Sequence, residues 1–275
     1  MRNIKIIASD LDGTLLNSNS EVSAENLEAI RKLAEKGVFF VPATGRSLSE
    51  IPKAIADIPE IRYIISSNGA AINDRKTGKR ILSCITNDKV KRILDILYAF
   101  DTHIVYRRDG LLYVDAYCQK KEDFVYYNIC NAHINVIENY GIHLTDFKEK
   151  AYEADEVEGV AAFIHDKSRL SECRKLIEEI DGISVVETWE NLEVLNSCAG
   201  KGNAILSLAD EIGVDRCNTM ALGDSDNDKS MIKSAGLGLA VANANDDLKA
   251  IADDVICSND EHIVKYVLEN YIDIE

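Results

Sequence analysis

The sequence predicts an α/β protein: a Rossmann-like core on a parallel sheet, with a smaller α+β domain inserted into it. Three observations carry this. The first 70 residues alternate short apolar runs with helical patterns, residues 201–275 do the same, and the stretch between them changes character. With 275 residues, 46% of them apolar and 28% charged, the chain is long enough for two domains and too apolar to remain disordered.

In chain order, the run Ile4-Lys5-Ile6-Ile7-Ala8 has the form of a buried parallel strand. A helix follows, with Ser23 as N-cap, Leu27, Ile30, Leu33 and Ala34 at helical spacing, and Gly37 as the stop. Residues 38–41 form the second strand, 47–57 a helix despite Pro52, and 63–65 a third strand. Short connections between these elements demand right-handed crossovers and a parallel sheet. Residues 71–82 read as a hairpin around Lys76-Thr77-Gly78.

Between Cys84 and Glu190 lie 13 of the 18 aromatic residues and four of the five histidines, His103, His133, His143 and His165. Strand pairs at 103–107 and 111–115 turn at Asp109-Gly110, and helices are expected at 89–100 and 168–180. The expected boundaries are 1–83 and 191–275 for the core and 84–190 for the insertion. The core then resumes: helix 201–212, strand 219–222, helix 226–235, strand 237–241, helix 246–252, strand 255–256 and helix 260–270.

Thirty-one basic against 47 acidic residues leave a net charge of −16. Such a surface repels phosphate backbones and anionic lipid, so neither nucleic acid nor membrane is an expected partner. No run reaches the ~20 apolar residues of a membrane span, and the N-terminal apolar stretch is too short for a signal sequence. Seven scattered cysteines, with no CxxC pair and no metal-ligand spacing, are expected as reduced, mostly buried thiols in a cytoplasmic protein.

Two acid clusters carry the chemistry. Asp10-Leu11-Asp12-Gly13-Thr14 directly follows the first strand, and Gly223-Asp224-Ser225-Asp226-Asn227-Asp228 directly follows the strand ending at Leu222. Both stand at the carboxyl ends of parallel strands, where open α/β sheets bind ligands. Crowded carboxylates repel unless a cation compensates, and hard oxygen donors suit Mg²⁺ shared with a substrate phosphate. A calcium loop fails in both registers. Starting at Asp224 it would need Gly and Glu where Lys229 and Ala235 stand; starting at Asp10 it would need Gly at Leu15.

The chain resembles the haloacid dehalogenase-like superfamily of aspartate-nucleophile phosphohydrolases, and within it the Cof-type phosphatases with an inserted cap. The resemblance rests on Asp10-Leu11-Asp12-Gly13-Thr14, Ala43-Thr44-Gly45-Arg46, Gly200-Lys201-Gly202 and Gly223-Asp224-Ser225-Asp226-Asn227-Asp228, in that order, with Asn68-Gly69-Ala70 and Ala242-Asn243-Ala244 beside them. It covers nearly the whole chain.

The resemblance implies a Mg²⁺-dependent phosphatase acting on small phosphomonoesters such as sugar phosphates, nucleotides or phosphorylated cofactors. Asp10 is then the nucleophile that forms an aspartyl-phosphate, and Asp12 the general acid and later base. Asp10, the backbone carbonyl of Asp12, and Asp224 hold the metal, with Asp228 a further ligand or an anchor behind them. Thr44, Gly45 and Asn227 bind the phosphoryl oxygens, Lys201 adds positive charge beside Asp10, and Arg46 and Asn68 are candidates for the substrate. Lys201 opens a helix, where the dipole disfavours a cation, as a lysine retained for a site would.

Three positions depart from the family pattern: Ser9 before the nucleophile, Cys198-Ala199 before Gly200, and His262 at a helix start, read as structural. Asp226 is expected to face solvent or cap the following helix. Substrate choice is assigned to the cap, with Arg107, Arg108, Tyr113, Tyr117, Tyr126, Tyr127 and the four histidines as candidates, although aromatic residues there mainly pack the sheet. Two alternatives stay open: a phosphomutase of the same superfamily, and a receiver-like phospho-aspartate module. The oligomeric state is not legible.

Overall fold

The computed structural model describes residues 3–187 and 190–272. The chain folds as two compact units: Met1–Gly45, Ile51–Ile81 and Gly200–Glu275 form the first, Arg46–Glu50 and Leu82–Ala199 the second.

The first unit is built on five parallel strands in the order Asp254–Val255, Leu237–Ala240, Thr219–Gly223, Ile6–Ser9, Phe39–Pro42. Ile6–Ser9 is an inner strand, paired on both sides and wholly buried, which explains its uninterrupted apolar run. Its register sets Ser9 beside Leu222 on one side and Pro42 on the other. The residues that follow these strands therefore emerge together at one edge of the sheet. Asp10 N donates to Leu222 O at 3.0 Å, and Ala43 N to Ser9 O at 2.8 Å. The strand Tyr63–Ser66 touches this sheet through an isolated Ala43–Ile65 bridge and belongs to a separate three-stranded sheet with Ala71–Asp74 and Arg80–Leu82.

Local chemistry explains the helices. Ala24–Glu35 starts where the Ser23 hydroxyl accepts from Asn26 N, and beyond Lys36 the chain turns at Gly37, whose φ is +70°. Lys201–Ile212 spans the expected residues and ends at left-handed Gly213. The single helix expected over 47–57 is instead two short pieces, Leu48–Glu50 and Lys53–Ala56. Pro52 separates them, because it has no N–H to donate and excludes the preceding residue from helical backbone.

The second unit holds a six-stranded sheet in the order Ile183–Glu187, Leu192–Asn196, Val157–Ile164, Thr102–Arg108, Leu111–Asp115, Gly141–Leu144. The last pair is parallel and the others antiparallel. Leu192–Asn196, expected in the core from residue 191, pairs here with both of its neighbours, so the chain returns to the first unit at Gly200. Both sheet faces are covered. Ile104, Tyr106, Val160 and Ala162 pack with Val90, Ile93, Leu94, Cys173 and Ile177, while Val105, Ala161 and Phe163 pack with Phe124, Ile129 and Ile137. That is why Val157–Ile164 is buried at every position.

The thiols differ from expectation. All seven are free, but only Cys173 is buried, and Cys198 and Cys217 are exposed. No helix among the described residues is long and apolar enough to cross a membrane.

Candidate active site

The parallel register brings the expected catalytic residues of the first unit together. Asp10 directly follows the inner strand Ile6–Ser9 and is 5% exposed. Its Oδ1 lies 2.5 Å from Lys201 Nζ, which lies 2.7 Å from Asp228 Oδ1 on its other side. Lys201 is fully enclosed at the first turn of its helix. Burial pulls its pKa down, but the charges of Asp10 and Asp228 outweigh this and hold the ammonium above its ordinary range. Lys201 thus compensates for the unfavourable helix-dipole position with two direct ion pairs.

Asp228 has its other oxygen engaged. Oδ2 accepts from Asp224 N at 3.0 Å and Ser225 N at 3.2 Å, which folds the loop 224–228 around the carboxylate. Asp224 Oδ1 accepts from the Thr14 hydroxyl at 2.8 Å. Thr14 was present in the first motif, but nothing in its type or spacing indicated that it steadies Asp224. Gly13 has φ +82°, and a Cβ there would stand 2.7 Å from Asp224 Oδ2, so this glycine is required twice over. Its carbonyl accepts from Asn243 Nδ2 at 2.7 Å, which gives the late Ala242-Asn243-Ala244 segment a place in the site.

Oxygens of Asp10, Asp224 and Asp228 lie within 4.8 Å of one another. Burial, together with the charges of the neighbouring acids, raises Asp10 to about 7 against the pull of Lys201. Burial raises Asp224 as well. Three converging carboxylates with one ammonium leave surplus negative charge in a desolvated place, and an all-oxygen donor set there fits a hard divalent cation. Such an ion would reverse those shifts by favouring the ionised acids.

Asp12 differs from Asp10: its side chain is exposed. The turn that carries it is closed by Leu15 N to Asp10 O at 3.2 Å and Leu16 N to Leu11 O at 2.8 Å. Thr44 is buried and continues from the neighbouring strand, its N–H donating to Ile65 O at 3.0 Å. Asn68 is left-handed, with φ 51° and ψ 34°, and its N–H donates to Thr44 O at 3.0 Å. Gly45 lies against the Asn68 amide, where a Cβ would come within 3.1 Å of Oδ1, and that oxygen accepts from Asn227 Nδ2 at 3.4 Å. A Cβ on Gly69 would meet the Gly200 carbonyl carbon at 2.3 Å, so the close approach of 67–69 to Lys201 needs a glycine.

Arg46 belongs to the second unit, where its guanidinium donates to Glu50 O at 3.2 Å. Asp226 is exposed and pairs with Lys229 at 3.0 Å, while Asn245 Nδ2 donates to it at 2.9 Å. His262 precedes the last helix in left-handed backbone, its ring 2.9 Å from the Ser23 hydroxyl, a structural placement. Ser9 turns its hydroxyl onto Asp10 O at 2.8 Å.

Within the second unit, Arg107, a candidate for substrate choice, lies near the end of the strand Thr102–Arg108. It is buried between Glu50 and Glu193, 3.3 Å from each. Tyr113 stacks on Tyr106, Tyr126 and Tyr127 both donate to Asp101, and His103 is buried among aromatic rings. Tyr117 is 72% exposed.

Residues 7–268 match the family model of haloacid dehalogenase-like hydrolases. The chain belongs to the haloacid dehalogenase-like hydrolases. It is 32% identical to phosphatase YwpJ of Bacillus subtilis, over 98% of this chain and all of that one. It is also 32% identical to the 5-amino-6-(5-phospho-D-ribitylamino)uracil phosphatase YwtE of the same organism, over 98% of each. A solved haloacid dehalogenase-like hydrolase from B. subtilis superposes with a TM-score of 0.81 at 30% identity, covering 98% of this chain and 100% of that one. Among haloacid dehalogenase-like hydrolases this chain is of the Cof type, and its class of activity is phosphoric monoester hydrolysis.

Proposed function

We propose that the protein is a Mg²⁺-dependent phosphatase of small phosphomonoesters that works through an aspartyl-phosphate on Asp10. The observation that carries this is the buried Asp10 carboxylate, paired with Lys201 and converging with Asp224 and Asp228. Asp10, Asp224, Asp228 and the carbonyl of Asp12 are the groups that would hold the ion. When bound, Mg²⁺ supplies positive charge that neutralises the phosphoryl oxygens as a carboxylate approaches them.

The chain's own residues do the rest. Thr44, Asn227 and the backbone N–H groups around Gly45 bind phosphoryl oxygens and orient phosphorus toward Asp10, while Lys201 adds positive charge and steadies Asp10. An Asp10 oxygen attacks phosphorus, the ester P–O bond breaks, and Asp12 gives its proton to the departing alcohol. Asp12 then takes a proton from water, the hydroxyl attacks phosphorus, and inorganic phosphate leaves with Asp10 restored. The exposed Asp12 and the buried Asp10 suit these two roles, because proton exchange needs access and the nucleophile needs desolvation and a fixed position.

Relatives that act on a phosphorylated ribitylaminouracil support a substrate that carries its phosphate on a polyol or sugar-like chain. The test is release of inorganic phosphate from p-nitrophenyl phosphate and from a panel of sugar phosphates, nucleotides and phosphorylated cofactors, with and without Mg²⁺. Stoichiometric phosphate with Mg²⁺ supports the reading. An isomeric phosphate ester as sole product, or a stable phosphoprotein with no release, overturns it.

A further inference from the structure

A second cluster of metal-binding side chains lies wholly within the second unit. Cys130 is the N-cap of the helix Asn131–Tyr140, and His133 follows three residues later, so both face the same way from the first turn. Glu190, buried just before the strand Leu192–Asn196, turns its carboxylate onto them. His133 Nδ1 lies 2.8 Å from Glu190 Oε2 and 3.7 Å from Cys130 Sγ, and one donor atom from each residue lies within 4.8 Å of the other two. Glu190 Oε1 also accepts from Cys130 N, and the Lys167 ammonium donates to the Glu190 carbonyl. The cysteines have no metal-ligand spacing among themselves because this one pairs with a histidine, as Cys-x-x-His, and the third donor is 57 residues from His133.

We propose that Cys130, His133 and Glu190 bind a zinc-like divalent cation through sulfur, nitrogen and oxygen. Tetrahedral zinc, with bonds of about 2.3 Å to sulfur and about 2.0–2.1 Å to nitrogen, separates those two donors by ~3.6 Å. The 3.7 Å between Sγ and Nδ1 is already that distance. The carboxylate needs to retreat from the ring by ~0.5 Å, from hydrogen-bond to co-ligand separation. A catalytic thiolate–imidazole–carboxylate array is excluded by the same geometry, because Cys130 and Glu190 both address Nδ1 and leave neither on Nε2. A mixed thiolate, imidazole and carboxylate set favours zinc over Mg²⁺, which takes oxygen donors.

Binding has a defined proton balance. The Cys130 thiol gives its proton to solvent. His133 binds as the neutral ring protonated on Nε2: the proton that Nδ1 shares with Glu190 in the metal-free arrangement is exchanged through solvent to Nε2, which frees the Nδ1 lone pair for the ion. Three protein ligands leave a fourth position for water or another small donor. The ion would clip the start of the helix Asn131–Tyr140 to the segment that leads into Leu192–Asn196, two parts of the unit that are remote in sequence.

The test uses Co²⁺ as a spectroscopic stand-in, titrated into the full, reduced chain. One equivalent should produce a thiolate-to-cobalt charge-transfer band that Zn²⁺ displaces. Cys130→Ser should abolish the band, His133→Ala should weaken binding at least ~10-fold, and Cys118→Ser should leave it unchanged. The carboxylates around Asp10 give no such band, so the two sites are distinguishable. If Cys130→Ser does not fold, Zn²⁺ protection of Cys130 from alkylation, read by mass spectrometry on the natural chain, decides the matter, with at least ~10-fold slowing expected. No band in the natural chain, a band that survives Cys130→Ser, or alkylation unaffected by Zn²⁺ overturns the proposal.

Discussion

Lys201 and Asp10 stand 191 residues apart in the chain and 2.5 Å apart in space. The lysine is a fully enclosed cation whose second partner, Asp228, comes from a third segment. One side chain therefore holds two acids that would otherwise repel each other in a desolvated place.

Replacing Lys201 by Met removes that compensation with little change in volume. Breaking a buried pair from one side costs about 3–5 kcal/mol, and losing the positive charge beside the proposed nucleophile is expected to cost about 10²–10³ in kcat. Urea unfolding and phosphate-release kinetics on Lys201→Met measure both. An active variant of unchanged stability would contradict the role given to this ammonium.

Asp10 and Asp12 should fail differently. Asp10→Asn is expected to abolish turnover, because an amide oxygen is no nucleophile toward phosphorus. Asp12→Asn should lower turnover of alkyl phosphates by about 10²–10⁴, the range for a lost general acid–base. With p-nitrophenyl phosphate, whose leaving group needs no proton, Asp12→Asn should still release a first burst of p-nitrophenol and then stall as the phosphorylated enzyme. Rapid-quench detection of that burst separates the two carboxylates.

Gly13→Ala probes the carboxylate cluster without replacing an acid. The new Cβ would stand 2.7 Å from Asp224 Oδ2 on a backbone with φ +82°. Asp224 must move, and the Mg²⁺ concentration for half-maximal activity should rise about 10–100-fold. A Mg²⁺ titration of initial rates reads this directly.

His103 gives the second unit a pH-dependent stability. Burial lowers its pKa from 6.5 to about 4, opposed by the charges of Asp115 and Asp123, and its Nε2 has no hydrogen-bond partner among the described residues. Between those two values the unfolded chain binds the proton and the folded one does not, so stability rises with pH there. The contribution is complete above about 6.5 and is lost as pH falls toward 4, to a total of about 3 kcal/mol. Urea midpoints measured across that window should slope for the natural chain and flatten in His103→Phe.

Much of the first unit could be read before any coordinates. The first strand lies within a residue or two of its expected place, the helix Lys201–Ile212 coincides with its expectation, and Ser23 caps as its type demands. These features arise from local patterning and capping, which act over a few residues. The second unit was less legible. Leu192–Asn196 has the apolar content of either sheet, and only pairing with Val157–Ile164 and Ile183–Glu187 assigns it. The burial of Arg107 was not legible because its partners Glu50 and Glu193 are distant in sequence.

The sequence by itself determined the kind of chemistry: acids placed immediately after parallel strands, with a threonine, a lysine and glycines at positions whose backbone or charge requires them. The tertiary structure alone decided which of those acids share a space, that the Thr14 hydroxyl donates to Asp224, that Arg46 goes with the second unit, and that Cys130, His133 and Glu190 meet. The reason is physical. Propensity and periodicity act between near neighbours, whereas burial, ion pairing and shared ligation depend on distances that exist only once strands remote in the chain lie side by side in register.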